Sequence, residues 1–268
     1  MEMISSMPGL SLQSLSLYLL LIVICTLRVG AFLISSPFFG SRMVPLPVRI
    51  VCSVSLGLWV LGSTKLPNFE ILTSFNLIPI IGQEIIIGLS AGMALSICFG
   101  TVILAGEKIA ATSGLAFASQ VDPTSGAQSP VISQIFSLFL LLIFFALNGH
   151  LVILKLIFAS FQKLPIGSFA DNNYIVETAL SSANFLFDSA VTLVLPIVSI
   201  LFFINLGIGF ITKSAPQLNL FSFGFPLTIL ATFFALYFSV DALQFVFAEL
   251  LNGAIKIVTL VLRGDIDG

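Results

Sequence analysis

His150 is the only histidine in the sequence, and Cys25, Cys52 and Cys98 stand apart in apolar stretches without CxxC spacing. A metal centre takes three or four ligands, and these four residues do not cluster into one. The cysteines read as small buried hydrophobes. His150, in ALNGH, reads as a group that caps or hydrogen-bonds near a helix interruption at Asn148-Gly149. The chain contains no GxSxG, no HExxH and no phosphate-cradling Gly-Lys-Ser loop, the patterns that would announce a nucleophilic, zinc-hydrolytic or nucleotide site. The sequence therefore predicts no enzyme, no metal and no cofactor.

The remaining candidates are charges set in apolar surroundings: Arg28, Glu84, Glu107, Lys108, Lys155, Asp188, Asp241 and Glu249. Each is costly against lipid and is expected to face protein or water. Glu107-Lys108 adjoins a polar stretch and reads as a helix terminus. For Asp188, Asn205 and Asp241 two readings are open. They could form a proton or ion pathway, as in transporters with broken helices, or they could be satisfied by neighbouring subunits. Their small number, without a matching pair of inverted repeats, favours the second. Glu84, Asp188, Asn205 and Asp241 are thus expected at subunit interfaces.

The elements that must position these groups follow from composition. Only 8% of the 268 residues are charged and 58% are hydrophobic, with a mean hydropathy of +1.16. A soluble domain carries roughly 25% charged residues, so lipid or protein must cover this surface. The chain reads as one compact integral membrane unit. A net charge of −2 excludes a basic nucleic-acid footprint. Twenty-seven Phe against one Trp and three Tyr leave a thin interfacial aromatic belt. The stretch MEMISSMPGLSLQS has no Lys or Arg. It lacks the basic region of a cleaved signal peptide, so the first apolar run is expected to be retained.

A membrane-spanning helix needs about 20 apolar residues. Six stretches qualify or nearly do: 15–35, the short 48–63, 77–105, 131–160, 175–212 and 218–251. The last four exceed one span and must tilt, break or extend beyond the bilayer. The fifth is expected to be interrupted by Asp188, Pro196 and Asn205. Ser129-Pro130 reads as the start of the fourth, with Pro at the first helical position, and Pro226 as a start or kink in the sixth. Gly88-x-x-x-Gly92 permits close helix contact. A six-span arrangement sets Arg42, Arg49, Lys108 and Lys213 on one side against Lys65, Lys163, Lys256 and Arg263 on the other. With the basic residues evenly divided, the positive-inside rule favours neither orientation. A plain lipid-embedded bundle would normally show a bias.

The sharpest anomaly is SQVDPTSGAQSP (119–130), a polar island at the middle of the chain, flanked by small residues in ATSGLAFA. Asp122-Pro123 and Ser125-Gly126 set consecutive turns, because Pro fixes φ and Gly accepts a left-handed conformation. A compact loop is expected. Non-helical backbone at membrane depth survives only against protein or a water-filled lumen.

Five stretches together resemble the FliR-type flagellar biosynthetic proteins and their SctT-type relatives in virulence type III secretion. They are RVGAFLISSPFFGSRMVPLPVRI (28–50), SGLAFASQVDPTSGAQSPVISQIF (113–136), ALNGHLVILK (146–155), LPIG (164–167) and APQLNLFSFGFPLTI (215–229). They occur in the family's order, and DPTSG-x-QSP and APQ-x-N-x-F-x-x-GFP look closer to flagellar members.

That resemblance implies an all-helical (all-α) subunit of the flagellar export gate, present as one copy with several copies of two smaller membrane subunits, FliP and FliQ. Its broken helical hairpins would stack in a pseudo-helical assembly, within a single membrane domain, 1–268. About residues 1–175 would be FliP-like and about 176–268 FliQ-like. A switch protein, FlhB, would wrap the entrance, and unfolded flagellar proteins would pass through to export. The resemblance places the assembly in the bacterial inner membrane, at the flagellar basal body. It also implies that residues 113–128 project into the lumen as a plug, which puts Gly114, Phe117, Asp122, Pro123, Ser125, Gly126 and Gln128 in that closure.

Overall fold

A computed structural model of the chain describes residues 12–41, 44–63, 77–116, 130–167, 172–215, 217 and 220–263. Eight α-helices follow one another among these residues: α1 (Leu12–Ser35), α2 (Leu46–Ser63), α3 (Leu77–Ser113), α4 (Val131–Ala146), α5 (Gly149–Lys163), α6 (Asn172–Ser214), α7 (Phe225–Phe238) and α8 (Val240–Arg263). A π-helical turn, Leu220–Gly224, precedes α7, and no strand occurs among the described residues. Continuous apolar sequence takes this form because a helix satisfies its own backbone groups where water is absent. Five helices are long and apolar enough to cross a membrane, or six if α4 and α5 together count as one broken span.

The chain divides into two compact units. The first comprises residues 1–96, 150–182 and 254–268. Here Leu21 and Ile24 of α1 pack with Ile80 of α3, bordered by Leu20, Leu61, Leu77 and Ile166. Helix α1 meets α3 closely: a Cβ on Gly88 would strike the Arg28 carbonyl and Ala31, and one on Gly92 would strike Ser35 and the Phe32 carbonyl. The Gly-x-x-x-Gly pair acts as its spacing predicts. Ser96 donates across the same seam to the Ser35 carbonyl at 2.6 Å. On α2, Gly57 abuts Thr26, and Trp59 meets Phe158 of α5 with ring centroids 4.5 Å apart.

The second unit comprises residues 97–149 and 183–253. Ser133 of α4 lies against Gly106 of α3 and donates to the Ile103 carbonyl at 3.2 Å. Phe136 meets Phe247 edge-on at 5.6 Å, and Phe99 meets Phe144 at 6.4 Å. Large apolar side chains remain exposed, among them Phe203, Phe210 and Phe238, so this face needs lipid or another protein against it.

Several boundaries depart from the sequence reading. The sixth stretch, 218–251, is two helices rather than one. They are separated at Ser239, whose N–H donates back to Ala235 and Leu236 and whose carbonyl accepts from Leu243. The fourth is interrupted where Asn148-Gly149 implied, with Asn148 at φ 53, a left-handed conformation Asn tolerates better than most residues. Pro130, expected as the first helical residue, instead occupies the N-cap of α4, which begins at Val131. Pro226 stands in the first turn of α7, as expected. The interruption expected at Asp188, Pro196 and Asn205 does not occur: helix α6 runs unbroken through all three.

Candidate functional site

Two constellations draw polar groups together. The first is centred on Arg28. Its Nε and Nη2 donate to Glu84 Oε2 and Oε1 at 2.6 and 2.9 Å. Nη1 donates to Ser160 Oγ at 3.0 Å, and Nη2 also donates to the Leu164 carbonyl at 2.9 Å. Ser160 can accept because its own hydrogen goes to the Ile157 carbonyl. The guanidinium lies 4.1 Å from the Phe161 ring centroid, a cation–π distance. Arg28 and Glu84 are each 1% exposed. Three parts of the first unit are thereby joined: α1, α3 and the end of α5.

This arrangement is structural rather than reactive. Both carboxylate oxygens are taken by a fork of matching geometry, and no face is left open to a substrate. Glu84 was expected at a subunit interface; its demand is met inside the chain. Both charges stand out in the sequence, but their pairing does not. The available signal was one basic residue in the first span and one acidic residue in the third, with Glu84 four positions before Gly88.

The second constellation is the root of the polar island, in the second unit. Helix α3 ends at Ser113, and Gly114 follows with φ 82, the left-handed conformation that commonly closes a helix. A Cβ there would lie 2.6 and 2.9 Å from atoms of the Phe225 ring. Around it is a cavity of about 260 Å³ bordered by Thr112, Gly114, Asn205, Gly209, Phe225 and Thr228. Asn205 Nδ2 donates to the Thr112 carbonyl at 3.2 Å, and Thr228 Oγ1 to the Ser113 carbonyl at 2.9 Å. The other expected closure residues, Phe117, Asp122, Pro123, Ser125, Gly126 and Gln128, lie outside the described residues.

The remaining polar candidates are dispersed. Asp188 is exposed on α6 and offers its carbonyl to Thr192. Asn205 stands 17 residues further along the same helix, about 25 Å at 1.5 Å per residue, too far for one polar site with Asp188. Asp241 is exposed in the first turn of α8. Among the described residues no group of three His, Cys, Asp or Glu could hold a metal ion. Thr112, Ser113, Phe225 and Thr228 were not singled out by sequence. The only signal for Ser113, Phe225 and Thr228 is that SGLAFA and GFPLT both belong to the stretches that carry the family resemblance, and Thr112 stands just before the first of these.

Residues 19–254 match the family described as bacterial export proteins, family 1. The chain is 32% identical over 203 residues to the flagellar biosynthetic protein FliR of Escherichia coli (strain K12), covering 76% of this chain and 77% of that protein. It is 32% identical over 215 residues to FliR of Bacillus subtilis (strain 168), covering 78% and 82%. Similarity extends to the surface presentation of antigens protein SpaR of Shigella sonnei, 24% identical over 251 residues, covering 92% of this chain and 95% of that one.

Proposed function

The chain belongs to the bacterial export proteins, family 1, and on that premise we propose that it is a non-enzymatic subunit of the flagellar type III protein export gate. The observation that carries this reading is the match along residues 19–254, together with flagellar relatives at 32% identity. The more distant likeness to SpaR supports a second reading, a virulence export gate. The higher identity to the flagellar relatives favours the first.

On this reading the chain sits in the inner membrane at the basal body. It joins FliP-like and FliQ-like subunits, and a FlhB-like switch protein lies at the entrance. About residues 1–175 serve as the FliP-like part and about 176–268 as the FliQ-like part. Exposed aromatic side chains such as Phe203 and Phe210 supply apolar surface for those neighbours, and Asp188 and Asp241 supply polar contacts, the Asn205 amide being engaged inside the chain by the Thr112 carbonyl. Residues 113–128 close the passage at rest and yield to unfolded flagellar proteins. Moving a loop costs far less than opening the helices that carry it.

Two measurements test the proposal. Purified from the membrane, the chain should bring with it two smaller membrane proteins in unequal copy number. A monomer or symmetric homo-oligomer would point instead to a stand-alone transporter. Deleting residues 114–126 should leave that assembly intact and make the membrane leak ions. A tight membrane around a fully assembled complex rules out the plug.

A further inference from the structure

The last turn of a helix leaves four backbone carbonyls without helical partners, and at the end of α3 every one of them is accounted for. Two are satisfied locally. Ser113 Oγ donates to the Ala110 carbonyl at 3.0 Å, and the Gly114 N–H reaches the Ala111 carbonyl at 3.4 Å. The other two are satisfied from distant sequence. Asn205 of α6 donates to Thr112, 93 residues away, and Thr228 of α7 donates to Ser113, 115 residues away. The Thr228 hydroxyl also lies 3.0 Å from the Phe225 carbonyl of its own helix, so its single hydrogen is held between two acceptors. The Phe225 ring closes against Gly114 from the same helix.

We infer that Asn205 and Thr228 are positioning residues for the closure: they hold the terminal carbonyls of α3, while Phe225 seats Gly114, and so fix the direction in which the chain leaves the helix. Backbone carbonyls would otherwise be free to tilt, and a left-handed glycine alone permits a wide range of exits. Two side-chain bonds from two other helices, with an aromatic wall on the third side, reduce that range to one. The same contacts tie the root of the loop to α6 and α7. A displacement of either helix that breaks its bond releases the root. This inference rests on the reading of residues 113–128 as the closure, and it adds the fixed point from which that closure is set.

The test uses the assembled complex with Asn205→Ala, Thr228→Val, Thr228→Ser and the double variant Asn205→Ala/Thr228→Val. Valine keeps the shape of threonine and loses the hydroxyl; serine keeps the hydroxyl. Co-purification reports assembly, solute leakage in cells reports closure, and hydrogen exchange at residues 113–116 reports the root. The double variant should assemble normally, exchange at the root about tenfold faster and leak, while Thr228→Ser stays tight. Unchanged exchange in the double variant overturns the anchor whatever the leakage shows. If deletion of 114–126 leaks and the double variant does not, positioning of the closure is overturned and the gate reading stands. If the deletion itself does not leak, the reading of residues 113–128 as the closure fails, and exchange alone decides whether the root is held.

Discussion

Arg28 and Glu84, 56 residues apart in sequence, meet as a fork and a carboxylate at 2.6 and 2.9 Å, each 1% exposed. Removing one member of such a pair leaves the other buried and unpaired, at a cost of about 3–5 kcal/mol. Arg28→Ala and Glu84→Ala should each abolish accumulation of the subunit in the membrane. The double replacement Arg28→Met/Glu84→Leu removes both charges and keeps apolar volume, so it should recover a large share of the lost protein. Quantitative immunoblotting of membranes would decide. A double variant as poor as the single ones means that the ion pair has a role beyond joining α1 to α3.

The α1–α3 seam makes a separate prediction from two glycines on one helix. A Cβ at Gly88 would strike the Arg28 carbonyl, whereas a Cβ at Gly82 would meet nothing within 4 Å. Gly82→Ala should be neutral or stabilising by up to about 1 kcal/mol through helix propensity alone. Gly88→Ala must push the two helices apart and should lower the thermal midpoint of the purified complex. Equal effects at the two positions would mean that the seam is not closed as described.

How much of this could be read beforehand depends on whether the cause is local. Apolar runs announced the spans, and Asn148-Gly149 announced the interruption at α4–α5 because both residues favour backbone that a helix cannot use. Ser239 gave no comparable warning: no Gly or Pro stands beside it, and apolar residues run up to it on one side and resume close by on the other. The Gly88 and Gly92 contact was legible from small-residue spacing. The bonds from Asn205 and Thr228 were not, because they end on backbone carbonyls, which every residue has and no residue type reveals. The pairing of Arg28 with Glu84 likewise depends on which helices become neighbours.

Gly114 tests the root of the loop through strain. At φ 82 an alanine pays roughly 1–2 kcal/mol in backbone conformation, and its Cβ would also meet the Phe225 ring at 2.6 Å. Gly114→Ala should destabilise the complex and loosen the loop root. Adding Phe225→Leu relieves the collision and leaves the backbone cost, so recovery should be partial. Differential scanning of the purified complexes separates the two effects. Full recovery in the double variant would show that the left-handed conformation is not required.

The outer face of α8 carries the last prediction. Asp241, Glu249, Asn252 and Lys256 are all exposed, and helical geometry of about 100° per residue places them within an arc of about 80°. Their helix qualifies by length and hydropathy as a membrane span over Val240–Leu262. Lipid is a poor neighbour for such a stripe. Phe245 lies within the same arc and is 70% exposed, a mixture of aromatic and polar groups that suits a protein partner better than water. Replacing Glu249 and Asn252 with leucine makes the stripe compatible with lipid. The variant should still insert, because its hydrophobicity rises, yet recover several-fold less of the smaller membrane proteins proposed as its partners on purification. Undiminished recovery would remove the stripe from the subunit interface and leave water as its neighbour.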